Sequence, residues 1–114
     1  MPHIIIDCSD SILQQHDRQQ IMQLIFDAAD ESRLFNTQDI KVRLRSFSDF
    51  LPAAEGETFL HVFAYIMEGR TTAQKNGLSK SIVSRLKLAL PDVPVISMNV
   101  IDIEKATYNN RDTV

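Results

Sequence analysis

The order of hydrophobic patterns constrains this chain most: strand, helix, strand, and then the same order again, inside 114 residues. Residues 2–8 (Pro-His-Ile-Ile-Ile-Asp-Cys) are rich in β-branched side chains, and the triplet Ile4-Ile5-Ile6 suits a strand buried on both faces. Ser9, Asp10 and Ser11 offer a helix cap. The pattern then predicts one helix from about Ile12 to Ser32, with Ile21, Leu24, Ile25, Ala28 and Ala29 at helical spacing. A second strand is expected over Ile40–Phe47, where Ile40, Val42 and Leu44 alternate with Lys41, Arg43 and Arg45. Pro52 to Gly56 links the halves. Phe59–Met67 reads as a third strand, and Thr71 and Thr72 can cap a second helix with the stripe Leu78, Ile82, Leu86 and Leu90. Pro91 enforces the end of that helix, because the residue before a proline avoids the helical region. Val95–Ile103 is the fourth strand.

Each half has the length of one βαβ unit, whose two strands are parallel and whose crossover is right-handed. A shift of 58 residues lays His3 on His61, Ile4 on Val62 and Ile5 on Phe63. The expected domain is therefore a single one over residues 1–114, built of two pseudo-repeated units at about 1–52 and 57–114. By element order the class is α/β; by layering it is a two-layer α+β arrangement, a four-stranded sheet with two helices on one face. The second face would lie bare and partly apolar, and a two-layer protein of this size has to cover it, which predicts an oligomer.

Composition removes several functions. A net charge of -3 makes no case for nucleic acid or for an anionic membrane. No apolar run approaches the ~18 residues of a membrane span. The short run Ile4–Ile6 meets Asp7 and Asp10 at once, unlike a signal peptide, so the expected compartment is the cytoplasm. Cys8 is the only cysteine, which excludes an internal disulfide and a thiolate metal cluster, and His3, His16 and His61 lack metal-site spacing. No metal or organic cofactor is expected.

Pro2 is the first residue with chemical interest. Methionine aminopeptidase normally removes Met1 before a residue as small as proline, which leaves a secondary amine at the start of a strand. A free α-amino group titrates at roughly 7.7–8.0, and burial or a neighbouring cation lowers that value toward the neutral form a general base requires. Taken alone, a proline here does no more than permit the cleavage. Arg43 lies inside the second strand, and Arg70 follows Glu68-Gly69 just before a helix cap. Arginine suits two-point binding of a carboxylate, although for either residue taken alone a solvated surface cation is the better reading. Arg45 competes with Arg43, since both point to one side of the strand. His3 and His61 read as packed, hydrogen-bonded strand residues, and Cys8 as a small buried hydrophobe. Phe47 and Phe50 suit either a pocket wall or the core. Asp7 and Asp10 form only a superficial carboxylate pair, because a helix cap explains Asp10.

The opening Pro-His-Ile-Ile-Ile-Asp-Cys-Ser-Asp-Ser-Ile resembles the start of 5-carboxymethyl-2-hydroxymuconate isomerases, members of the tautomerase superfamily. The resemblance continues through Val42-Arg43-Leu44-Arg45 and Gly69-Arg70-Thr71. The second half is also similar to 4-oxalocrotonate tautomerase, in which Glu68-Gly69-Arg70 would lead into a helix carrying Gln74-Lys75. The resemblance implies the tautomerase-like double βαβ fold and a homotrimer. It implies an isomerase of aromatic-compound degradation that converts a conjugated 2-hydroxy carboxylic acid to its 2-oxo isomer. Carried over by position, Pro2 is the catalytic base, and Arg43 and Arg70 bind the carboxylates of a small-molecule substrate. Leu60 stands where the second half would carry its own proline, and Asn99 where the short relatives carry an arginine, so the second half is expected to lend Arg70 and no second site. The tail Ala106-Thr107-Tyr108-Asn109-Asn110 departs from the Asn-Phe-Lys stretch of these isomerases. Two other activities remain compatible: a keto–enol tautomerase for phenylpyruvate-type acids, and a non-enzymatic oligomeric binding protein of the same fold.

Overall fold

The computed structural model describes all 114 residues. It contains β1 (His3–Ser9), α1 (Ile12–Gln15), α2 (Arg18–Glu31), β2 (Lys41–Phe47), β3 (Phe59–Met67), α3 (Thr72–Ala89) and β4 (Val95–Ile103). Single 3-10 turns lie at Thr37–Asp39 and Lys105–Thr107. The sheet order is β2-β1-β3-β4. β1 and β2 are parallel, β3 and β4 are parallel, and the two pairs meet in an antiparallel seam between β1 and β3. This is the four-stranded sheet of two βαβ units, with α2 and α3 packed side by side on one face.

Alternation along the strands decides which side chains meet the helices. Ile4, Ile6 and Cys8 of β1 and Leu60, Val62, Ala64 and Ile66 of β3 are fully buried. They join Ile21, Ile25, Ala28 and Ala29 of α2 and Leu78, Ile82 and Leu86 of α3 in one core of 18 residues. Truncating such a side chain, for example Ile82→Ala, removes about 2–5 kcal/mol. The intervening residues face away from the helices: Arg43, Ile5, Phe63 and Asn99 form one row across all four strands. With the 58-residue offset, Ile5 stands directly opposite its own counterpart, Phe63, in the antiparallel seam.

Three sequence expectations change. The single helix from Ile12 to Ser32 is two helices. The chain leaves the first at His16, and Asp17 adopts extended backbone and accepts a hydrogen bond from the Gln19 amide, capping a new start. A good cap competes with continuation of a helix, and here it wins. The Ser9-Asp10-Ser11 cap is not made by side chains. Ser9 is the buried last residue of β1, where its hydroxyl accepts from the Phe59 amide, and the Asp10 backbone carbonyl, not its carboxylate, closes the turn to Leu13. Ile40 lies just outside β2. The α3 start is as expected, with Thr71 and Gln74 forming a reciprocal capping box. No helix is long and apolar enough to cross a membrane.

Candidate active site

The start of β1, the start of β2 and the end of β3 converge at one end of the sheet, because β1 and β2 run parallel while β3 runs back. Pro2 sits there, immediately before β1. Its side chain is fully buried and its carbonyl accepts from the Lys41 amide at 3.1 Å. With Met1 attached, the Pro2 nitrogen is an amide.

Arg70 reaches the same end from β3. Gly69, at φ +115°, makes the turn out of the strand in a conformation that favours glycine. The guanidinium then donates through Nη2 to the Leu34 carbonyl and lies over the Phe35 ring, 5.6 Å from its centroid. Leu34 is presented by a turn after α2 in which Arg33 takes a left-handed φ of 62°. Arg70 is therefore half-buried and anchored, not a freely solvated cation.

Arg43 and Arg45 both project from β2 onto the sheet face that carries no helix, as their alternation predicts. Their surroundings differ. Arg45 forms a two-point ion pair with Asp7, Nε to Oδ1 at 2.7 Å and Nη2 to Oδ2 at 3.1 Å. Its charge is matched by that carboxylate. Arg43 has no carboxylate partner; its Nη1 meets Nδ1 of His3 at 3.2 Å. Lys41 donates only to the Gln38 carbonyl. Arg43, Lys41 and Arg70 thus have no carboxylate partner, which leaves unmatched positive charge toward this end of the sheet.

The protomer does not bring all of these into one cavity. Neither Arg43 nor Arg70 is hydrogen-bonded to Pro2 or to the other. Arg43 flanks an open depression of about 560 Å³ between α2 and the β2 edge, with Lys41, Met22, Gln23 and Phe26. Neither Pro2 nor Arg70 lines that depression.

The other candidates fall away on geometry. Burial pushes the Cys8 thiol up to about 11, far from a reactive thiolate. Phe47 and Phe50 pack on Phe59, at 6.4 and 5.0 Å between ring centroids, at the sheet end remote from Pro2. Asp7 is taken by Arg45. His61 bonds Ser97 and Asn99, each at 2.6 Å, and both of its nitrogens are occupied. The anchors of Arg70, Leu34 and Phe35, and the contact of His3 with Arg43 were not among the expected site residues. No sequence pattern marks them, since each contact spans between 35 and 40 residues.

Comparison with known proteins follows the same lines. The family model described as 5-carboxymethyl-2-hydroxymuconate isomerase matches residues 2–110. A search of curated protein sequences returns no match. Among solved structures, the chain is similar to a 5-carboxymethyl-2-hydroxymuconate isomerase from Deinococcus radiodurans R1, with 14% identity and a TM-score of 0.76, covering 96% of this chain and 88% of that one. A 5-carboxymethyl-2-hydroxymuconate delta-isomerase gives 19% identity and 0.76, covering 97% and 87%. A structure described as Q0 fused 4-OT wild type symmetric trimer gives 18% identity and 0.80, covering 98% and 94%. At these identities the structures speak for the shared fold, whereas the family match runs through nearly the whole sequence and begins on Pro2. The chain belongs to the 5-carboxymethyl-2-hydroxymuconate isomerase family.

Proposed function

We propose that this protein is a tautomerase that converts a conjugated 2-hydroxy carboxylic acid to its 2-oxo isomer, with 5-carboxymethyl-2-hydroxymuconate, in aromatic-compound degradation, as the substrate its family suggests. The observation that supports this most is that the family match starts at Pro2, the residue whose nitrogen becomes a free amine once Met1 is removed. In this reading Pro2, as a neutral amine, takes the proton of the 2-hydroxyl and returns one to carbon at the far end of the conjugated system. Nothing is oxidised or lost, so no cofactor is required. Proton transfer by one positioned group supplies ~10²–10⁴-fold. Arg43 and Arg70 hold the carboxylates and stabilise the developing oxyanion, which accounts for the remainder through orientation and electrostatics.

The protein works as a homotrimer in this proposal. The face bearing Ile5, Phe63 and Tyr65 carries no helix, and a partner protomer would cover it and close a chamber that a single protomer leaves open. The symmetric-trimer relative supports the same assembly. A cytoplasmic location completes the reading.

The test is the ketonisation rate of a 2-hydroxydienoate, followed by ultraviolet absorbance, on protein whose amino terminus has been established by mass spectrometry. Pro2→Ala, which keeps a primary amine, should lose most activity without unfolding. Protein that retains Met1 should be almost inactive, because an amide nitrogen accepts no proton. Full activity in a preparation that demonstrably keeps Met1 would overturn the mechanism.

A further inference from the structure

His3 takes no part in the chemistry proposed above, yet it makes the one side-chain contact that orients Arg43. The guanidinium can only donate, so Nδ1 of His3 must accept. A ring that accepts at Nδ1 carries its single proton on Nε2. This fixes both the tautomer and the charge of His3, and it removes His3 as an alternative base, because the accepting lone pair is already engaged.

The surroundings agree with that state. His3 stands opposite Lys41 on β2 and opposite Tyr65 on β3, with Arg43 next along β2 and the chain's amino terminus beside it on its own strand. No carboxylate faces it: the nearest on β1, Asp7, is held by Arg45. Burial first, then the charges of Arg43 and Lys41, lower the pKa of His3 from its ordinary value of 6.5. A protonated His3 would offer Arg43 a third positive charge in place of an acceptor.

We propose that His3 is a positioning residue, which holds Arg43 by accepting a hydrogen bond at Nδ1 and releases it when the ring is protonated. This rests on the reading of Arg43 as a carboxylate binder. The consequence is a second titration in the enzyme, separate from that of Pro2: acid weakens substrate binding through Arg43 as well as removing the base.

The experiment compares His3→Gln, whose amide oxygen can accept but cannot titrate, with His3→Leu, which can do neither. At about pH 7.5 His3→Gln should keep the KM of the parent, and His3→Leu should raise KM by about three- to tenfold with a smaller change in kcat, the effect of losing one ordinary, solvent-exposed hydrogen bond. Between about pH 7 and 5 the KM of the parent should rise more steeply than that of His3→Gln. Nitrogen NMR of the His3 ring reads the contact without activity: an unprotonated Nδ1 whose shift moves in Arg43→Ala is expected. Identical KM profiles for the parent and His3→Gln, or a proton on Nδ1 at neutral pH, would overturn the inference. If Arg43→Ala raises KM while His3→Leu does not, the positioning role fails and the role of Arg43 stands. If Arg43→Ala leaves KM unchanged, the role of Arg43 itself fails and takes the kinetic half of the inference with it.

Discussion

Phe35→Leu is the perturbation most directly tied to the anchoring of Arg70. The guanidinium lies 5.6 Å from the Phe35 ring centroid, inside the ~6 Å range of a cation–π contact. Arg70 keeps partial access to solvent, which holds the stack toward the lower end of the cation–π range, at about 0.5–1 kcal/mol. Arg70 keeps its second anchor, the Leu34 carbonyl, so the arginine should loosen and not swing away. At 1.4 kcal/mol per tenfold, kcat/KM should fall about two- to fivefold. Leucine still covers the adjoining core edge, and the cost in stability should stay below about 1.5 kcal/mol. Arg70→Ala removes the charged group outright and should cost about 1.5–3 kcal/mol in kcat/KM. The decisive assay is the double-mutant cycle, with ketonisation kinetics on all four proteins and thermal unfolding as a control for folding. If Phe35 acts through Arg70, Phe35→Leu is silent once Arg70 is alanine. An equal loss in both backgrounds would show that Phe35 touches the reaction by some other route and would refute the anchoring argument.

Further outcomes follow from other contacts. Arg43→Ala should cost about 1.5–3 kcal/mol in kcat/KM, whereas Arg45→Ala should leave kinetics nearly unchanged and lower the melting temperature by freeing Asp7; the reverse pattern would exchange their roles. Thr71→Ala breaks the capping box of α3 and should cost about 0.5–2 kcal/mol of stability in denaturant titration. Sedimentation at micromolar concentration should give the mass of three chains, and the mass of one would contradict the trimer. Because the folded His3 binds its proton less readily than the unfolded chain, stability should fall as pH drops from about 6.5, and His3→Gln should flatten that limb.

Much of the architecture was legible because its signals are local. The spans of β3 and β4 match their expected ends, bounded by Gly69 on one side and by the turn before Val95 on the other. The alternation around Arg43 was enough to place it and Arg45 on one face. The break at Asp17 was not legible, since Ile12 and Ile21 are both buried and a hydrophobic pattern alone does not show that a new cap intervenes between them. For the candidate site, the residue types could be read but not their states. That Arg45 is matched by Asp7 while Arg43 is left to a histidine depends on strand register, which lines up Asp7 with Arg45 and Ile5 with Arg43. The lodging of Arg70 depends on a loop 36 residues away, for which no periodicity exists to be read.

The antiparallel seam joins two βαβ units through one continuous chain, and this has a genetic consequence. In an assembly of separate identical half-chains, each substitution would be printed twice, once in each unit, and a change useful at one position would have to be tolerable at its mate. Here the position 58 residues before Arg70 is Ile12, which is buried in the core, and the one 58 residues after Pro2 is Leu60, fully enclosed in β3. Neither could become arginine or a terminal proline without ruin to the packing. One gene therefore lets the two units drift apart, so that in the proposed mechanism one can supply the amine and the other the cation, while the ladder between Ile5 and Phe63 keeps them a single folding unit.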